Sequence, residues 1–305
     1  MGLELKKFIF FGLLILFLLS GCAGGLSRRE SAKLYYNLGN AYLELGDTAK
    51  ASESYLKALE YNKNMKIASF NLAKAYMEVE KYSEAIGILD GMLKEEPENT
   101  ILLSAKAYCV YRFGNYEKAS ELYDDVLKID PGNMEALYNS AVISIDRENY
   151  SAALDSLTLL KAKKIEDDSL LAKINSAFGE TYYRTEQYSE AIKYLDLIRQ
   201  TDPDDISNLT MLFNSYLKTR YFASVAETGT MILKKQPENK EILFNMASVY
   251  LNEIEDTEKG LTYLEKALAA GFDDKLRAEE LASAPDIAGK ERIYKILQNA
   301  KLLDD

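Results

Sequence analysis

A chain of 305 residues would ordinarily divide into about two globular domains, yet its five prolines and sixteen glycines are expected mostly at hairpin turns, which would leave little room for a linker. The 48 acidic residues outnumber the 37 basic ones, and the resulting net charge of −11 repels nucleic acid and anionic membrane surfaces. There is no histidine, which removes the commonest general base and metal ligand together.

The chain opens with Lys6 and Lys7, an unbroken apolar run from Phe8 to Leu19, and Ser20-Gly21-Cys22. Those twelve apolar residues are too few to span a bilayer, where about 20 are needed. A basic start, a short apolar run and small residues make an export signal. Leu19-Ser20-Gly21-Cys22 resembles the bacterial lipobox, in which the Cys thiol is acylated and the chain is cut before it. The resemblance implies a signal peptide over residues 1–21 and a lipid-anchored Cys22 as the mature N-terminus. A simple signal anchor and a chance Cys are the alternatives. Residues 22–31 then form a short tether, and the roughly eight residues from Ala23 to Glu30 reach at most about 30 Å. The expected location is the envelope of a bacterial cell, on a membrane and facing the periplasm or exterior; which membrane stays open.

From Ala32 to Met65 the chain spells a unit that it then copies about every 34 residues. Apolar residues at helical spacing run from Ala32 to Leu45, stop at Gly46-Asp47, and resume from Thr48 to Tyr61. Gly46 can end the first helix in the left-handed conformation without steric cost. Gly39, Ala51 and Ala58 lack bulk, so two antiparallel helices can press together, with Leu38, Tyr42 and Tyr55 filling the gaps. One such hairpin cannot bury its apolar face alone and needs a neighbour on each side.

These residues resemble the tetratricopeptide repeat, and the match continues through about seven units. The second unit carries Leu72-Ala73, Tyr76, Tyr82, Ala85 and Pro97, and the third Ala107, Gly114, Tyr116, Ala119, Tyr123 and Pro131. The fourth is weaker, with Ala141, Tyr150, Ala153 and Leu157 but no closing proline. The fifth has Phe178-Gly179, Tyr182, Tyr188, Ala191 and Pro203. The sixth has Leu212, Tyr216, Phe222 and Pro237, with Val225 in place of Ala. The seventh has Ala247, Tyr250, Gly260, Leu264 and Ala267, with one extra residue in its turn. Pro97, Pro131, Pro203 and Pro237 each stand where a helix must stop. The resemblance implies an all-α, right-handed superhelical solenoid of helix hairpins over residues 32–271.

Units begin near residues 32, 66, 100 and 134, then after a longer step near 172, 206 and 240. The extra residues of that step fall around Lys163 to Leu170, where Asp168-Ser169 can cap the next helix and a kink is expected. After Gly271 the pattern changes. Lys275–Leu281 and Lys290–Leu303 read as helices, with Ile293, Leu297 and Ala300 on one stripe, so residues 272–305 are expected to cap the array.

Catalytic signatures are missing. No Gly-rich phosphate loop, Gly-x-Ser-x-Gly or EF-hand loop occurs. Ser54-Tyr55-Leu56-Lys57 and Ser215-Tyr216-Leu217-Lys218 fit Ser-x-x-Lys, but the Ser-Asp-Asn and Lys-Thr-Gly partners of that motif are absent. No catalytic residue, cofactor or metal is therefore assigned. Cys109, on the first helix of the third unit, reads as a small buried hydrophobe.

In tetratricopeptide arrays the first helices line a concave face where protein partners dock. The matching positions are Tyr36, Asn40 and Leu43; Phe70, Lys74 and Met77; Ser104, Tyr108 and Tyr111; Tyr138, Val142 and Ile145. Further along they are Ser176, Glu180 and Tyr183; Asn214 and Leu217; Phe244 and Leu251. The alternatives are that some of these pack as core, or that the chain's own tail or a second copy covers them. Family members that clamp a carboxylate use cations where this chain has Tyr36, Ser104 and Tyr108, so that mechanism is rejected. The expected function is a membrane-anchored scaffold that recruits a protein partner through this groove. The alternatives are an accessory component of a solute transporter, binding an apolar ligand or a periplasmic receptor, and, disfavoured, a peptidoglycan-acting enzyme.

Overall fold

The computed structural model describes residues 26–284, 287 and 289–303, so the export signal and Cys22 lie outside the described residues. Sixteen α-helices and no strand occur among the described residues. The chain divides into two compact bodies, one up to Asn149 and one from Tyr150 onward.

The N-terminal body holds α1 (Arg28–Glu44), α2 (Thr48–Tyr61), α3 (Lys66–Glu78), α4 (Tyr82–Leu93), α5 (Thr100–Arg112), α6 (Tyr116–Ile129) and α7 (Met134–Asp146). The C-terminal body holds α8 (Tyr150–Lys161), α9 (Asp168–Arg184), α10 (Tyr188–Thr201), α11 (Ile206–Lys218), α12 (Phe222–Lys235), α13 (Lys240–Asn252), α14 (Thr257–Ala269), α15 (Lys275–Ser283) and α16 (Lys290–Asn299). In the N-terminal body every helix packs on the next in sequence. From α8 to α14 the same rule holds, as a solenoid of hairpins requires. The body boundary falls between the two helices of the fourth repeat, well before the stretch around Lys163 where a kink was expected.

Local chemistry sets the helix starts. Asp47, Asn99, Asn115, Asn133, Asp167, Asp205, Asn239, Asp256 and Asp274 each accept a backbone N–H one turn into the helix they precede. Ser27 and Glu30 form a reciprocal capping box, so α1 begins at Arg28, inside the stretch read as tether. Asp167, not Asp168, caps α9. Most of the lengthened step is absorbed there: α9 has 17 residues where α7 and α11 have 13, about one extra turn.

Close packing depends on the small residues. Ala51, Tyr55 and Ala58 are fully buried, and a Cβ added at Gly39 would lie 2.5 Å from the Tyr55 ring. Gly46 and Gly114 take the left-handed turn between first and second helices, at φ 78° and 90°. The other hairpins put Glu80, Glu148, Glu186, Arg220 and Glu255 at that place, with φ between 58° and 63°. Glycine therefore does not mark most of the turns.

At the C-terminus, α15 and α16 fall where capping helices were expected. Ile293 and Leu297 are buried, but Ala300 is exposed because α16 ends at Asn299 and Leu302 takes the place in the core.

Candidate functional site

On the first helices of the N-terminal body, the expected groove residues form linked groups. The Tyr36 ring lies 6.0 Å from that of Tyr55. The Oδ1 of Asn40 accepts from the Tyr55 hydroxyl at 2.7 Å and from Asn71 Nδ2 at 3.2 Å. One side-chain oxygen thus ties the two helices of the first repeat to the first helix of the second. Burial raises the Tyr55 phenol to about 12.

Phe70 and Met77 are half-buried against a core that includes Ala73, Tyr82, Leu102 and Cys109, whereas Lys74 points into solvent. Burial pushes the Cys109 thiol to about 11. Ser104 is buried, so it lines no groove. Tyr108 is half-buried, and its hydroxyl accepts from Arg112 Nη1 at 2.7 Å. The Arg112 guanidinium lies 5.3 Å from the Tyr82 ring and 5.7 Å from the Tyr108 ring, and pairs with Glu80 at 3.1 Å. The Tyr111 hydroxyl donates to Asp146 at 2.6 Å; burial, with that carboxylate second, raises its phenol. Tyr138, Val142 and Ile145 on α7 are half-buried, and desolvation raises the Tyr138 phenol.

In the C-terminal body, Ser176 is exposed and Glu180 is half-exposed. The Tyr183 hydroxyl accepts from Asn214 Nδ2 at 3.1 Å, joining α9 to α11 much as Asn40 joins α1 to α3. Leu217 is half-buried beside this pair's repeat.

Phe244 corrects the groove assignment. It is 2% exposed, and its ring stacks on Phe272 with centroids 3.9 Å apart. Arg277 of α15 covers both rings at 4.7 and 5.2 Å, and its fork donates to Glu241 and Asn245 at 2.6 and 2.7 Å. Leu251 is likewise buried in this cluster. The cause is the C-terminal cap, which seals the last repeat and leaves Phe244 no open face.

Sequence reasoning missed Arg112, which reaches the groove residue Tyr108 and, in the preceding repeat, Tyr82 and Glu80. Its position four residues after Tyr108, on the same helix face, was the available signal. Basic side chains are repeatedly used this way. In the N-terminal body Lys66 pairs with Glu96 at 2.6 Å and Arg147 with Glu117 at 2.9 Å. In the C-terminal body Arg220 pairs with Glu253 and Lys235 with Asp204, at 3.0 and 2.7 Å. The pairs are exposed and screened by solvent, so they add little to stability, but they occupy cations that a carboxylate ligand would need.

The two Ser-x-x-Lys serines are buried within helices, and Ser54 Oγ donates to the Lys50 carbonyl at 2.8 Å. Among the described residues no His, Cys, Asp or Glu grouping has a metal-binding arrangement. Nor is any described helix long and apolar enough to cross a membrane. What the first-helix face of the N-terminal body offers is aromatic surface with hydrogen-bonding groups, flanked by Lys74 and Arg112.

The tetratricopeptide-repeat family model matches residues 32–65, and a second model of the same repeat matches 70–133 and 105–168. These stretches are tetratricopeptide repeats. A TPR repeat-containing protein of Methanocaldococcus jannaschii, MJ1428, is 28% identical over 273 residues, covering 80% of this chain and 46% of that protein. The BBSome complex member BBS4 of Bos taurus is 25% identical over 236 residues, covering 77% of this chain and 44% of that protein. The chain spans under half the length of these curated relatives. Among solved structures, the repeat protein YrrB superposes with a TM-score of 0.55 at 19% identity, over 63% of this chain and 96% of that one. That likeness shows the fold: an all-helical, tetratricopeptide-like solenoid.

Proposed function

We propose that these tetratricopeptide repeats form a scaffold that docks a segment of a protein partner on the first-helix face of the N-terminal body. Lipid on Cys22 holds the chain at a membrane of a bacterial cell envelope. The supporting observation is the run of half-exposed aromatic side chains on successive first helices: Tyr36 on α1, Phe70 on α3, Tyr108 and Tyr111 on α5, and Tyr138 on α7. The Tyr108 and Tyr111 hydroxyls and the Asn40 amide are already oriented by neighbours, so little ordering cost falls on binding there. Rigid aromatics with a polar tip are the side chains that most often anchor a partner.

Replacing Tyr108 and Tyr138 by Ser is expected to abolish capture of the partner from envelope extracts while helical circular dichroism and the cooperative melt are retained. Undiminished capture would overturn the groove. The anchor is tested by Cys22→Ala, which should release the chain from the membrane fraction and abolish incorporation of radiolabelled palmitate.

A further inference from the structure

The N-terminal body has two edges. On one, first helices end and second helices begin; on the other, first helices begin and second helices end. The second edge is where the described chain starts. Arg28 donates to the backbone carbonyls of Glu60 and Tyr61 at 3.1 and 3.5 Å, so the start of α1 sits beside the end of α2.

That edge carries exposed apolar side chains. Ile67 and Ile101, in the first turns of α3 and α5, are 53% and 64% exposed. With Phe70, Met92 and Leu102 they line a hollow of about 210 Å³. A second hollow of about 450 Å³ adjoins it, sharing Lys66, Met92 and Glu96; its lining is mostly polar, with Lys63, Asn64 and Glu95, and it is open where Gly87 and Gly91 of α4 bring no side chain. Leu26 and Tyr61 add to the same edge at 41% and 39% exposure. Ile67 and Ile101 stand out in register on successive first helices, as Leu45, Val79 and Phe113 do at the opposite edge, so it is the distance to Cys22, and not exposure alone, that selects between the two edges.

We propose that this edge lies against a lipid bilayer, with Ile67 and Ile101 entering its interface. The proposal rests on the reading that Cys22 carries lipid. Three residues separate Cys22 from Leu26, and the four steps between them reach at most about 14 Å. The 17 residues of α1 extend about 25 Å from there to the opposite edge. A lipid on Cys22 therefore brings the Leu26 edge to the membrane and holds the Leu45, Val79 and Phe113 edge away. The chain's net charge of −11 gains nothing from anionic headgroups, and Lys66 on this edge is already paired with Glu95 and Glu96, so Ile67 and Ile101 make the contact and the occupant is the bilayer interface itself.

The chain contains no tryptophan, so one introduced indole reports its own surroundings. Ile67→Trp, Ile101→Trp and Phe113→Trp are made singly in the full chain, checked for helicity, and placed in phosphatidylcholine nanodiscs with or without brominated acyl chains. Indoles at 67 and 101 should shift to the blue and lose at least half their emission to the brominated lipid, while 113 changes little. Equal or stronger quenching at 113, or none at 67 and 101, overturns the proposal. Mass spectrometry of the Cys22 peptide reports the anchor separately. Where the thiol is free, it is coupled to a maleimide phospholipid in the same nanodisc, and the same three indoles decide the edge.

Discussion

Tyr55 shows how much one side chain can carry in such an array. Its ring fills the space left by Gly39, while its hydroxyl orients Asn40. The need for a small residue facing a large one was legible from Leu38-Gly39 and Tyr55 in the sequence. The shared acceptor on Asn40 was not, because it joins three helices whose relative rotation no local pattern encodes. Burial raises the Tyr55 phenol to about 12 from an ordinary value near 10, and Tyr111, Tyr123 and Tyr216 move in the same direction. The folded state then holds protons that the unfolded chain releases. Stability from this source is complete below pH 10 and is lost as pH rises through about 12. Urea midpoints should accordingly be flat to about pH 8 and fall above that, with the buried Cys109 thiol contributing from about pH 9 and the tyrosines from about pH 10. Absorbance at 295 nm should show a fraction of the 22 tyrosines ionising only with unfolding. A single smooth titration near pH 10 would contradict this.

At the scale of the helix and its turn, the chain departs from its own pattern most clearly between first and second helices. The repeat's opening unit uses Gly46, which suggests glycine throughout, yet five hairpins place Glu or Arg in the left-handed region. An L-residue there costs about 1–2 kcal/mol, offset in part by the greater freedom glycine has when unfolded. Glu186→Gly should therefore stabilise the fold by about 0.5–1 kcal/mol, read as a higher urea midpoint with an unchanged slope. A lower midpoint would mean that Glu186 makes a contact that outweighs its strain. Helix starts were more legible than turns, since each Asn or Asp cap stands one place before an apolar-periodic run. The longer α9 was not, because four added residues fit a loop or a helical turn equally well until Asp167 fixes the start.

For the molecule as a whole, the phase of Ala, Tyr and Pro every 34 residues disclosed the repeats, since each unit must meet its successor in the same way. What phase could not disclose was burial by a segment outside it. Phe244 occupies a groove position by count and a core position by contact, because Phe272 and Arg277 come after the pattern ends. A chain ending at Gly271 would uncover Leu243, Phe244 and Leu251. It should aggregate or melt well below the intact protein, seen by light scattering and calorimetry. A monomer with an unchanged melting temperature would show that α15 and α16 are dispensable.

The ion pairs that bridge neighbouring repeats have a last consequence. Arg112 reaches back to Glu80, Arg147 back to Glu117, and Arg220 forward to Glu253. The hairpins these pairs join are thus keyed to particular neighbours and are not interchangeable tiles. Transposing or duplicating a repeat would keep the hydrophobic spacing intact while setting charges against the wrong neighbours. The order of the modules is written into their rims.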